Sequence, residues 1–281
     1  MTDALLVPGS RPRRRPKLPR VRVRADISRR HYSFIAATTL ISLLFLWVGV
    51  VAGTDVSPVF LPGPQDVWGA LVELWQGGEL WLDLGYSNLR VLSGFLLALV
   101  VSIPLGMLVG NLRSFEAAVE PLLGFVRYMP VPAFIPLLIL YTGIGETPKI
   151  LVIFIGTAVQ MVLMVADVTR RVPADYIRAA IALGANARET FLRVIWPASL
   201  PGIFDVIRLN LGWAWTYLIV AELVAANEGL GFRILKAQRF LNTDTIFLYL
   251  LLIGCLGIAS DLIVRAIQRR MFAWSEQKVT R

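Results

Sequence analysis

Six long apolar stretches alternate with short polar ones along this chain, and the alternation sets the expected elements before any single motif does. Residues 32–53, 87–110, 122–142, 149–168, 200–226 and 245–267 each reach the roughly 20 apolar residues a helix needs to cross a bilayer. The second stretch carries Gly94, Ala98, Ser102, Gly106 and Gly110, rows of small side chains suited to tight helix packing. Pro130, Pro132 and Pro136 make the third irregular. Broken backbone at membrane depth survives only where it is buried in protein or lines a wet cavity. Between the first and second stretches, residues 54–84 hold Asp55, Asp66, Glu73, Glu79 and Asp83 and neither Lys nor Arg. Within them Leu61-Pro-Gly-Pro reads as a turn. Residues 65–75, with Val67, Trp68, Leu71, Val72 and Trp75 on one side, read as an amphipathic helix on the membrane interface.

The polar stretch 173–201 has a different grammar. Pro173 suits the first turn of a helix, and Asp175 places negative charge where the helix dipole favours it. Tyr176, Ala179, Ala180 and Leu183 then fall at i, i+3, i+4 and i+7 on one narrow face. Gly184 interrupts, residues 187–194 predict a second short helix, and Pro197 and Pro201 are expected to stop it before the next apolar run. Small residues on such a helix-turn-helix let another protein's backbone approach closely, whereas a catalytic surface needs convergent polar groups.

Composition agrees with the pattern. A chain of 281 residues that is 56% hydrophobic, with mean hydropathy +0.66, is an integral membrane protein. Its net charge of +9 does not indicate nucleic acid, because 10 of the 28 Lys and Arg lie in the first 31 residues and no basic patch interleaves with aromatics. That Pro- and Arg-rich segment, 1–31, is expected to be a disordered tail preceding an uncleaved first span, with a transmembrane region over 32–268 and a second tail over 269–281. Six spans put both tails and the 173–201 loop on one side. That side holds 21 of the Lys and Arg against 4 on the other, which predicts that the loop and both termini are cytoplasmic. Cys255 and His31 stand alone, so no intrachain disulfide or metal cluster is expected.

No G-x-x-x-x-G-K-[ST] occurs, and H-E-x-x-H and G-x-S-x-G are missing too. Polar residues within the spans are the remaining candidates, because their desolvation is costly. Asn210, Trp213 and Tyr217 share one stripe of the fifth span, and Glu222 lies on another with Arg208 and Trp215. Gln160 and Met164 fall four apart on the fourth span, followed by Asp167. Gln160, Met164, Asn210, Trp213, Tyr217 and Glu222 are the candidate translocation path. Bonding to a neighbouring helix is the competing reading for Asn210, and snorkelling to the interface that for Asp167 and Arg127.

The loop resembles the cytoplasmic signature of the membrane subunits of ATP-binding-cassette (ABC) importers, written E-A-A, three residues, G, nine residues, I-x-L-P. Ala179, Ala180, Gly184, Val194 and Pro197 stand at matching positions, with Val for Ile, while Arg178 replaces the family's Glu and Trp196 its Leu. Leu61-Pro-Gly-Pro, Gly94-Phe-Leu-Leu-Ala, Gly143-Ile-Gly-Glu, Leu211-Gly-Trp-Ala-Trp, Ala221-Glu and Gly229-Leu-Gly extend the resemblance to the permeases of the nitrate, sulfonate, taurine and bicarbonate class, over about residues 61–274. The resemblance implies an all-α, type I ABC importer permease in the inner membrane, working as a homodimer with two cytoplasmic ATPase subunits and an external solute-binding protein. It assigns ATPase coupling to Arg178, Ala179, Ala180, Gly184 and Pro197. It also implies that ATP and Mg are used by the partner rather than this chain, and that a small anion is imported. Gln160 for a frequent Pro, and Met164-Val165 for Asn-Thr, depart from the family pattern and bear on which solute that is. The rival reading is an ion-coupled secondary carrier, although the two similar halves of many such carriers are not evident here.

Overall fold

The computed structural model describes residues 27–274, so the expected basic tail before residue 27 and the last residues, 275–281, lie outside the described part. The chain divides after Ala52 into two compact units. The first contributes α1, Arg29–Gly53, an apolar helix entered through Ser28, whose hydroxyl lies 2.7 Å from Nδ1 of His31. The helix thus begins just inside the stretch expected to be tail.

The second unit is helical throughout its described residues, apart from short connections. It comprises α2 (Pro64–Gln76), α3 (Glu79–Asn111), α4 (Arg113–Val126), a 3₁₀ turn (Val131–Phe134) leading into α5 (Ile135–Thr142), α6 (Glu146–Arg170), α7 (Ala174–Ala182), α8 (Ala187–Thr190), a π turn (Phe191–Ile195), α9 (Trp196–Ala225), α10 (Leu230–Arg239) and α11 (Thr243–Met271). Among the described residues, five helical segments are long and apolar enough to cross a membrane, and a sixth crossing arises if α4 and the Val131–Thr142 arm, bent by 93°, count as one.

Packing decides that count. The small residues of α3 form one row against α6: a Cβ on Gly94 would lie 2.8 Å from the Ile150 carbonyl, and one on Gly106 2.7 Å from that of Val162. Ala98 and Ser102 complete the row fully buried, with the Ser102 hydroxyl donating to the Ala158 carbonyl at 3.2 Å. Rising numbers on α3 meet rising numbers on α6, so the two helices run parallel. The chain between them must therefore return across, and α4 with α5 makes that return, leaving the Asn111 end of α3 and arriving at the Glu146 end of α6. The third expected span is thus a crossing, but a broken one that begins at Arg113 rather than residue 122. Pro130 and Pro132 have no N–H to continue the α4 ladder, and the chain resumes as a 3₁₀ turn.

Three other expectations change. Glu79 to Leu84, read as loop, form the first turns of α3. The polar connection after α9 folds into α10. Pro197 and Pro201 do not stop a helix, because Ala187–Val224 is one helical path. Its π turn donates the Trp196 N–H back to Phe191, which widens the helix just where the ring of Pro197 would crowd the preceding turn, and Pro197 then opens α9. The core lies on the two faces of α6: Val109, Val162 and Ala166 with α4 on one, and Ile135, Val152 and Ala221 with α5 and α9 on the other.

Candidate functional site

Two regions hold the expected site residues, and they lie at different depths. The first is the α7–α8 hairpin beyond the Arg170 end of α6. Gly184 adopts φ +88°, a left-handed conformation that glycine takes without steric cost. The Ala185 N–H then donates to Ala180 at 3.0 Å and the Gly184 N–H to Ile181 at 2.9 Å, the paired bonds of a Schellman cap. Asn186 starts α8 with a capping box: its side chain accepts from the Glu189 N–H at 2.9 Å, and its own N–H donates to the Glu189 carboxylate at 3.1 Å. Two caps back to back fix the angle between the helices. Ala180 is buried against the rest of the unit, whereas Tyr176, Ala179 and Ile181 are exposed, and Leu183 is 89% exposed. Arg178 is exposed and paired to Asp175 one turn earlier at 2.5 Å. Pro197, half-buried, stands apart at the start of α9.

The second region lies along the contact of α6 with α9. Asn210 is fully buried; its amide donates to the Val206 carbonyl at 3.0 Å and lies 3.5 Å from Sδ of Met164. Its Oδ1 accepts no hydrogen bond among the described residues. One and two turns further, Trp213 and Tyr217 stack with ring centroids 6.4 Å apart. Tyr217 lies over Gly156 so closely that a Cβ there would meet its ring at 2.5 Å. Gln160, exposed one turn along α6, shares with Tyr217 a cavity of about 50 Å³. Met164 lines a larger one, about 820 Å³, that opens toward the hairpin end between α6, α9 and α11. Gln160, Met164, Asn210, Trp213 and Tyr217 are therefore brought together.

Glu222 is not with them. It is 1% exposed at the opposite end, inside a charge cluster that the linear reading missed. Its Oε1 accepts from Arg90 Nη1 at 2.6 Å and from the Ser87 hydroxyl at 2.7 Å, and its Oε2 from the Gly231 N–H at 2.8 Å. With both oxygens occupied, Glu222 is a clamp between α3, α9 and α10 rather than part of a lining. Arg90 also forks onto Glu146 through Nε at 2.5 Å and Nη2 at 2.9 Å, and Lys149 supports Glu146 at 2.8 Å. Asp83 accepts from the Gly229 N–H, the Arg233 Nε and the Tyr249 hydroxyl at 2.9, 2.8 and 2.7 Å. Burial alone would weaken the charge of Arg233, but the bond to Asp83 and the fields of Asp83 and Glu79 hold its guanidinium above the ordinary pKa. Five helices thus meet in one satisfied polar cluster. Its sequence signal was present: Arg90 is the lone charge of its apolar stretch and Glu222 stands 14 residues beyond the nearest charge of its own, so each must find a partner.

Known proteins resemble this chain in sequence and in fold. Residues 102–273 match the family model described as binding-protein-dependent transport system inner membrane component. A Brucella abortus (strain 2308) protein described as a probable ABC transporter permease is 42% identical over 80% of this chain and 90% of its own length. The taurine transport system permease protein TauC of Escherichia coli (strain K12) is 34% identical over 84% of this chain and 88% of its own. Among solved structures, an inward-facing MetNI methionine ABC transporter chain is similar in fold, with TM-score 0.58 and 22% identity over 67% of this chain and 97% of that one.

Proposed function

The chain belongs to the binding-protein-dependent transport inner-membrane components, the permease subunits of ABC importers, and from that membership we propose how its two regions divide the work. A permease of this kind carries solute for an ATPase and a solute-binding protein and breaks no bond itself. The α7–α8 hairpin docks on the partner ATPase, which binds the ATP and Mg. Arg178, Ala179, Ala180, Gly184 and Pro197 belong to that contact or to its support. The observation that carries this assignment is the rigid, doubly capped hairpin that leaves Tyr176, Ile181 and Leu183 exposed beyond the membrane helices, since apolar side chains presented on a fixed frame suit a protein partner.

Gln160, Met164, Asn210, Trp213 and Tyr217 line the solute path, formed with a second copy of the chain. Imported solute is a small anion of the class to which taurine's sulfonate belongs. The hairpin, the amino terminus and the carboxyl terminus face the cytoplasm, as the 21 to 4 distribution of Lys and Arg argues, and the clamp around Glu222 faces outward. Reconstitution with the partner ATPase and binding protein tests the reading: ATP hydrolysis should rise when the binding protein is loaded with a small sulfonate or carboxylate. Reporter fusions after Gly78 and Asn186 should report opposite sides. Hydrolysis indifferent to the loaded binding protein, with uptake driven by an ion gradient instead, would establish the secondary carrier.

A further inference from the structure

We infer that Arg127 is the anion-selecting residue of the path, a role that rests on the importer reading above and adds the charge that reading lacks. Arg127 closes α4 at the point where the crossing bends by 93°, followed by Tyr128, Met129 and Pro130. Irregular backbone at membrane depth has to be buried in protein or face a wet cavity, and here it borders the small cavity that Arg127 shares with Gln160 and Tyr217. The α6 lining of that cavity runs from Ile155 to Gln160 within a helix of Glu146–Arg170, so the guanidinium stands near mid-membrane. Snorkelling to either surface does not account for such a position.

Its partners set it apart from four other arginines of the crossings. Arg90 faces Glu146 and Glu222, Arg170 faces Glu116 and Glu120, Arg208 and Arg265 face Asp261. Among the described residues Arg127 bonds only the neutral Tyr128, donating to its hydroxyl at 2.7 Å with the guanidinium 4.7 Å from its ring. No carboxylate among them lines the cavity. A cation kept at mid-membrane without a counter-ion is costly and marks an ion or substrate pathway. A planar guanidinium presents paired donors that match an oxyanion, and the Gln160 amide and Tyr217 hydroxyl on the opposite wall supply further donors. The class that fits is a small oxyanion such as a sulfonate, carboxylate or bicarbonate. A cation finds donors and a positive charge where it needs acceptors.

The test reads charge at the site without depending on which solute is carried. In the assembled complex, with Cys255→Ala and Gln160→Cys as the parent, the rate of modification by a negatively charged thiosulfonate reagent is divided by the rate for a positively charged one of similar size. Arg127→Gln and Arg127→Ala should each lower that ratio about tenfold, the scale on which fixed charge concentrates counter-ions in a cleft, and Arg127→Lys should keep most of it. A ratio unchanged in the neutral variants overturns the inference, as does failure of both to assemble, which would make Arg127 a folding residue. A parent that reacts with neither reagent overturns it as well. Stimulation of ATP hydrolysis by the loaded binding protein, measured on the same preparations, reports on the importer reading separately: if it persists while the ratio is flat, only the role of Arg127 falls.

Discussion

Replacing Arg90 with methionine should be the most damaging single change in the charge cluster around Glu222, away from the candidate path. Arg90 is 2% exposed, and its guanidinium makes four hydrogen bonds: two to Glu146, one to Glu222 and one to the Glu228 carbonyl. Methionine fills much of the volume but leaves Glu222, whose side chain is wholly inaccessible, as a buried anion without a cation. Breaking a buried pair on one side costs about 3–5 kcal/mol. The lower end applies here, because Ser87 and the Gly231 N–H still bond Glu222, and Glu146 is partly exposed and retains Lys149. Glu222→Gln should cost less, about 1.5–3 kcal/mol, the range for a hydrogen bond to a charged group, since Arg90 keeps its fork onto Glu146. The double variant should cost about as much as Arg90→Met alone, a coupling of about 2 kcal/mol between residues in direct contact. At roughly 2–4 °C per kcal/mol, Arg90→Met should lower the thermal midpoint of the purified protein in lipid nanodiscs, followed by tryptophan fluorescence, by about 6–12 °C. A midpoint within about 2 °C of the parent, or single effects that simply add, would refute the view that this cluster is one interdependent clamp.

The path is checked by cysteines at Gln160, Met164, Asn210, Trp213 and Tyr217 in a Cys255→Ala background, which should react with a water-soluble thiol reagent in at least one transport state, while Glu222→Cys stays protected in its closed cluster; reaction at Glu222→Cys alone would reverse the two assignments. Gly106→Val should prevent recovery of folded protein, because its Cβ alone would meet the Val162 carbonyl and Val165 at 2.7 Å, whereas Gly124→Val, with nothing within 4 Å of its Cβ, should be recovered like the parent. Arg178→Glu should uncouple hydrolysis from transport more than Arg178→Ala does, if the ATPase groove carries negative charge at that contact. Arg178→Glu also faces Asp175, so the exchange Asp175→Arg with Arg178→Glu separates the causes: restored coupling means the defect lay within the helix.

What could be read from the chain was what depends on near neighbours. The row from Gly94 to Gly110 announces a tight seam because small residues permit close approach whatever lies opposite. Gly184 announces a turn because few other residues tolerate a left-handed φ. The prolines after Arg127 locate a break, since a missing N–H interrupts the ladder at a known place, but they do not give its 93° angle, which the packing of α5 on α6 and α9 decides. The same limit explains the error at Pro197: a π turn one step earlier absorbs the ring, and nothing local distinguishes such a turn from a helix end. The clamp around Glu222 was hidden for a related reason. Arg90 and Glu222 stand 132 residues apart, and α10 has the mixed polar and apolar residues of an ordinary loop until Asp83, Ser87 and Glu222 receive the N–H groups at its start.

The two regions are physically one piece. The helical path from Ala187 to Val224 holds 38 residues, roughly 57 Å at 1.5 Å per residue, and it carries the capped turn of the hairpin at one end and Glu222 at the other. A displacement imposed on α8 cannot be absorbed at the Asn186 turn, where two caps fix the angle. The irregular points inside the path are the π turn at Phe191–Ile195 and the interior Pro201, and the wider ladder of the π turn is where the helix can change its bend without losing a hydrogen bond. Beyond it, Asn210, Trp213 and Tyr217 ride on the same rod, and so does the carboxylate that grips the N–H of Gly231 and the guanidinium of Arg90. Tilting the rod therefore moves the candidate path and strains the clamp on α10 together. A partner that pushes at the hairpin would reach the far side of the membrane through a single helix, without needing a chain of separate contacts.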